Sequence, residues 1–114
     1  MLVKKFADAK PYEAPNHFDV RALRLQGFEE GGPNNFWVGL SHILPGGGAG
    51  PDGSPLEKVY VVLAGQVTVR AEDKEVVLKP FDSCTIGANV VRQVVNAGNS
   101  VATMLVVMPY PPKA

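Results

Sequence analysis

An excess of charge of either sign is missing from this sequence, in which 11 lysines and arginines stand against 11 aspartates and glutamates. With a formal net charge of zero, no basic field is available to hold nucleic acid or an anionic membrane surface. The same balance gives little electrostatic protection against self-association. Cysteine is nearly absent too. The one that occurs, Cys84, excludes an internal disulfide framework and any multi-cysteine zinc site. No apolar run approaches the roughly 20 residues that a membrane-spanning helix needs. Residues Met1 to Lys10 carry a basic pair but no apolar stretch of signal-peptide length. The expectation is a soluble, cytoplasmic protein without nucleic-acid or membrane partners.

Helical periodicity is almost absent as well. In its place, short β-branched runs alternate with turn residues, and 12 glycines and 10 prolines punctuate 114 residues. That is the pattern of one all-β sandwich or barrel. The runs predict strands at Phe18 to Leu25, Phe36 to Leu44, Val59 to Leu63, Gln66 to Ala71, Glu75 to Leu78, Ser83 to Ile86, Arg92 to Asn96 and Ala102 to Met108. Residues 1–17, Pro-rich and weakly patterned, read as an N-terminal arm that packs on the barrel or crosses to a neighbour. Residues 18–114 read as the barrel domain. Several strands, Val59 to Leu63 and Met104 to Met108 among them, are apolar on both faces. A strand of that kind is covered on both faces, which predicts a second sheet on one side and a homodimer partner on the other.

The run Gly46-Gly47-Gly48-Ala49-Gly50 invites comparison with a phosphate-binding loop, but no Lys-Ser/Thr and no helix follow it. It reads better as a flexible lip within a long Pro45 to Pro55 loop at the barrel mouth.

From Gly46 to Asn96 the spacing of particular residues resembles the cupin superfamily. Gly46, Asp52, Ser54, Lys58 and Gly65 fall in register with the first motif of that superfamily. Phe81, Gly87, Asn89, Arg92 and Asn96 fall in register with the second. Leu44-Pro45-Gly46, Tyr60 to Gly65, Asp82 and Asn96 carry the scaffold cues, and Asn89 can replace a motif glycine because asparagine tolerates left-handed backbone. The resemblance implies an all-β cupin double-stranded β-helix, a jelly-roll barrel. In metal-binding cupins two histidines, a glutamate and a third histidine converge on a transition metal. Here those positions hold Asp52, Ser54, Lys58 and Arg92. A divalent cation needs anionic or neutral donors, and lysine and arginine only donate hydrogen bonds and add positive charge. The expectation is therefore no metal ligand set and no cofactor. Sliding the register to put Glu57 in place of Lys58 restores one ligand at most. A cluster of His17, His42 and Glu57 is the alternative by which the chain would still hold a metal.

Strand alternation puts Lys58, Tyr60 and Val62 on one face, and Arg92, Val94 and Asn96 on another. If both faces point inward, an ammonium, a guanidinium and a phenol meet at the barrel mouth. A guanidinium grips a carboxylate with two prongs, and lysine adds a point charge. This predicts a site for a small anionic organic molecule, with Arg92, Asp52, Ser54, Glu57, His17, Trp37 and Met104 as binding residues. The plainer alternative pairs Lys58 and Arg92 with Asp52 and Glu57 in a filled barrel. On Phe36 to Leu44 the face bearing His42 is the more uniformly apolar, so His42 is expected in or near the interior, where histidine is the usual proton-transfer group. A histidine satisfied in the core is the alternative. His17 either completes the site from the arm or lies exposed in a turn. Cys84 reads as a small core residue.

Two classes of function follow. One is metal-independent acid–base chemistry of isomerase, lyase, decarboxylase or cyclase type on an anionic carbonyl or carboxylate compound, with His42, Tyr60 and Lys58 as catalytic groups. The other is a module that binds or senses a small molecule without changing it.

Overall fold

Alternating apolar and polar side chains, interrupted by turns, fold this chain almost entirely into strands. The computed structural model describes residues 1–112. In chain order the strands are β1 (Lys10–Tyr12), β2 (His17–Gln26), β3 (Phe36–Asp52), β4 (Lys58–Ala64), β5 (Val67–Ala71), β6 (Lys74–Leu78), β7 (Ser83–Ile86), β8 (Arg92–Val95) and β9 (Ala102–Pro109). Short 3-10 turns occupy Phe6–Asp8 and Phe28–Glu30. All pairings are antiparallel. The sheet runs β6-β5-β8-β3-β9-β4-β7, with β2 also against β3 and β1 outside β2. The result is the nearly closed, all-β jelly-roll barrel that the spacing implied.

One long strand closes the barrel. Residues Phe36 to Ile43 of β3 pair with β9, whereas Gly48 to Asp52 pair with β8. The strand therefore passes from β9 in its first half to β8 in its second, and strand β2 follows it on both sides of the bend. The expected Pro45 to Pro55 loop with its flexible lip is thus corrected, because Gly47 to Gly50 are buried strand residues. The reason is close backbone approach rather than mobility. A Cβ on Gly48 would lie 1.9 Å from the Val94 carbonyl oxygen, so only glycine lets β3 and β8 meet there.

Inside lies a core that includes Ile43, Val62, Val67, Val69, Val94, Ala102 and Met104. Asn96 ties the bend of β3 to the turn before β9. Its Nδ2 donates to the carbonyls of Ile43 and Ser100, both at 2.8 Å, while its Oδ1 accepts from the Gly98 N–H. Full satisfaction of this buried amide marks Asn96 as scaffold. The arm lies on its own barrel: β1 pairs with β2, and Lys4 Nζ donates to the Gly31 carbonyl at 2.9 Å.

Candidate functional site

Three strands deliver the side chains that matter. On β4 the burial alternates so that Lys58, Tyr60 and Val62 face inward, and on β8 Arg92 and Val94 do the same, followed by Asn96. On β3 the inward set is Trp37, Gly39, Ser41 and Ile43. Together with the start of β2 and the residues around β1 they enclose a cavity of about 390 Å³. Lys58, Arg92, Asp52, His17 and Tyr60 form its polar wall. Trp37, Ile43, Met104, Val106 and Met108 form the apolar one.

Both cations are deeply buried, Lys58 at 4% and Arg92 at 8% exposure. Arg92 Nε donates to the Tyr60 hydroxyl at 2.8 Å. Its Nη1 is buried with no hydrogen-bond partner. Gly50 makes room for that nitrogen, since a Cβ there would sit 2.9 Å from it. Among the described residues, neither Lys58 nor Arg92 closes an ion pair with a carboxylate. The filled-barrel alternative is therefore not what the chain builds. Glu57, its proposed counter-charge, is exposed in the turn before β4 and does not line the cavity. The strand alternation that turns Lys58 inward leaves its neighbour outside.

Burial, reinforced by the charge of Arg92 and opposed by Asp52, holds the Lys58 amine below the ordinary lysine value. Burial raises the Tyr60 phenol, and Arg92 opposes it. The phenol thus keeps its proton near neutral pH. Its oxygen already accepts from Arg92, and no described acceptor takes its own hydrogen, so that hydrogen is available to a ligand. His17 is half-buried and shifted down, first by desolvation and further by Arg92, against the Pro15 hydrogen bond and Asp52. Its Nδ1 lies 2.7 Å from the Pro15 carbonyl oxygen. A carbonyl only accepts, so Nδ1 carries the proton and Nε2 keeps the lone pair. The cavity therefore holds a neutral acid and a neutral base.

The expectation that His42 faces the interior is overturned. Its ring lies on the outer face of β3, with Nδ1 3.2 Å from Thr103 Oγ1 and its edge against Phe6. The more uniformly apolar face of this strand is the outer one, which the arm covers in part through Phe6 against His42, while Phe36 and Leu44 at its ends stay exposed. The inner face carries Gly39 and Ser41, which leave space. Asp52, Ser54, His17, Trp37 and Met104 all line the cavity as expected. Ser54 also accepts the Leu56 N–H at 3.0 Å, a local turn contact. Cys84 is half-buried beside the core, and burial raises its thiol.

Sequence reasoning missed Arg24 and Tyr12. The Arg24 guanidinium stacks 4.1 Å from the Tyr12 ring centroid and 4.0 Å from that of Phe28, and all but the last line the cavity. An arginine on the inward phase of β2, four residues after Val20, was the available signal. Tyr12 sits in the arm, where no periodicity marked it.

A metal does not fit this donor set. The four register positions supply one carboxylate, one hydroxyl already used by its own turn, and two cations, one of which has an unpartnered donor nitrogen of its own. The alternative cluster of His17, His42 and Glu57 is not assembled, since His42 and Glu57 lie outside the cavity that His17 lines. Among the described residues no three His, Cys, Asp or Glu side chains gather closely enough to hold an ion.

A family model described as a cupin domain matches residues 39–108. The Mycobacterium tuberculosis protein named beta-D-galactosidase Rv1717 is 39% identical over 111 residues, covering 97% of this chain and 96% of that one. Among solved structures, a polyketide cyclase from Streptomyces resistomycificus superposes with a TM-score of 0.84 at 20% identity, covering 98% of this chain and 82% of its own. A sugar phosphate isomerase from Silicibacter pomeroyi gives 0.72 at 26% identity, over 82% of this chain and 61% of its own.

Proposed function

We propose, from the premise that this chain belongs to the cupin family, that its barrel takes up a small anionic carbonyl or carboxylate compound and moves a proton on it without a metal ion. The observation that carries this reading is the pair of buried cations on the cavity wall, with Arg92 Nη1 left without a partner. A buried cation without a counter-charge is costly, and a carboxylate or enolate in the cavity would supply that counter-charge to the guanidinium. Trp37, Ile43, Met104 and Met108 would receive the carbon skeleton. His17 Nε2 would take a proton from the carbon next to the carbonyl, the electron pair would move onto oxygen, and Arg92 and Lys58 would stabilise that oxyanion. Tyr60 would return a proton at the oxygen or at carbon. His17 thus fills the role first expected of His42. Isomerisation, decarboxylation, elimination and cyclisation share such an enolate, and the names of the cyclase and isomerase neighbours agree with it.

Trp37 is the chain's sole tryptophan and lines the cavity, so its fluorescence reports occupancy. Small keto acids are expected to quench it, and Arg92→Leu to weaken that binding by about tenfold or more. Deuterium exchange from solvent into the bound keto acid should be lost in His17→Gln, and in the native protein should decline as pH falls through the lowered His17 value. Quenching that is indifferent to Arg92 would overturn the reading. Binding without exchange would leave the sensing module instead.

The mycobacterial relative's name supports a second reading, glycoside hydrolysis, which calls for a pair of carboxyl groups. Glu13 and Asp52 are the carboxylates that line the cavity, both exposed at its mouth. Release of nitrophenol from a nitrophenyl galactoside, abolished by Asp52→Asn, would replace the first reading with this one.

A further inference from the structure

A point charge for an anion does not require lysine, and Arg92 already provides one. Lys58 begins β4 on the cavity wall, is buried, and makes no hydrogen bond or ion pair with a described side chain. The groups around it are the Arg92 guanidinium, which repels its charge, the Asp52 carboxylate, which draws it, and the Tyr60 phenol two residues along the strand. A lysine that is desolvated and set beside another cation is the arrangement that frees an amine for attack on carbonyl carbon.

We propose that Lys58 forms an imine with the carbonyl carbon of a 2-oxo acid whose carboxylate is held by Arg92; the proposal rests on the anionic-carbonyl reading above. A 2-oxo acid fits because its carbonyl carbon is one bond from the carboxylate, so the guanidinium that grips one end presents the other to the neighbouring amine. Nζ as the free amine adds to the carbonyl carbon. A C–N bond forms, and the C=O π pair moves to oxygen, which takes a proton that Tyr60 is placed to give. The C–O bond then breaks, and oxygen leaves as water with a second proton, that released by nitrogen. The nitrogen lone pair closes C=N, so the iminium carries the one net positive charge brought in by the proton consumed. No oxidant or reductant takes part. The iminium is a stronger electron sink than the carbonyl, which gives the proton removed by His17 a lower barrier, and hydrolysis returns the amine.

The test uses the full chain with pyruvate as probe and sodium cyanoborohydride to reduce any imine, followed by proteolysis and mass spectrometry. Holding the carboxylate at Arg92 raises the local concentration of the carbonyl carbon at Lys58. We therefore expect carboxyethyl modification of Lys58 at least about tenfold above that of the exposed Lys5, Lys74 and Lys79. Butanone, which lacks the carboxylate, should label Lys58 far less, and Arg92→Leu should bring pyruvate down to the butanone level. Lys58→Met should give no adduct in the β4 peptide. Quenching by pyruvate in the native protein with Lys58 labelled no more than the exposed lysines overturns the imine while the binding reading stands. Absence of both quenching and labelling overturns the two together. Equal labelling by pyruvate and butanone overturns the role of the carboxylate.

Discussion

Lys58 and Arg92 face one cavity, and each is expected to cost stability that a ligand would restore. Because burial and Arg92 lower the Lys58 amine, the unfolded chain holds that proton more tightly than the folded protein does. Stability from this group is therefore least below its lowered value and rises with pH up to the ordinary lysine value of about 10.4. Lys58→Met is expected to raise the unfolding free energy near neutral pH by at most about 1 kcal/mol, since solvent in the cavity screens the amine, with the advantage shrinking as the solution becomes alkaline. Urea titrations at neutral and alkaline pH measure it. A variant less stable than the native protein at neutral pH would show that Lys58 has a counter-charge after all. Tyr60→Phe acts in the opposite direction. It removes the acceptor of Arg92 Nε and strands a second guanidinium nitrogen in a buried place. The expected loss is about 2 kcal/mol, and an unchanged denaturation midpoint would count against the Arg92–Tyr60 hydrogen bond as a structural contact.

Strand β3 decides how the barrel closes, and its second half is made of residues without bulk. Where it crosses to β8, the Gly48 backbone lies against the Val94 carbonyl. Gly48→Ala must separate the two strands or displace the oxygen, and a loss of about 3 kcal/mol is expected from such overpacking. Arg92 stands next to Val94 in the inward phase of β8, so the same substitution should also weaken anion binding although residue 48 carries no charge. Thermal melts and Trp37 quenching on the one variant test both outcomes. Loss of stability with undiminished binding would separate the crossing from the site.

The outer face of the sheet raises the question of assembly. Val59, Val61 and Leu63 on β4 and Leu105 and Val107 on β9 point away from the cavity and are only half-buried within one chain. They are adjacent, since Val59 pairs with Val107 and Val61 with Leu105. An apolar strip of this kind, on a chain with no net charge, is expected to be covered by a second copy in a homodimer. Light scattering should return about twice the 12.2 kDa of the chain, and Val61→Lys should return the single-chain mass. A native protein that scatters as one chain at micromolar concentration would refute it.

Much of the architecture was legible because strands announce themselves locally. Ser83 to Ile86 was expected and found end to end, and the other predicted strands appear with changes of one residue at an end, except that Phe36 to Leu44 runs on to Asp52. Asn89 takes the left-handed backbone expected of it, with φ of 65°. The inward phases of β4 and β8 followed from alternation, which is a property of the extended backbone and needs no partner. His42 failed for a reason of another kind. Alternation told which residues of β3 share a face, but both faces are covered, one by a ligand-sized space and the other by the arm, and composition does not distinguish the two covers. Gly46 to Gly50 looked like a loop because close approach to a distant strand leaves no local mark. Tyr12 reaches the cavity through the pairing of β1 with β2, and Arg24 through that of β2 with β3. Residue order alone marked most of the strands, their phases and the substitution of cations for metal ligands, all of them short-range properties of the chain. Closure of the sheet, which brings together residues far apart in the chain, decided which phase faces the cavity and put His17 rather than His42 on its wall.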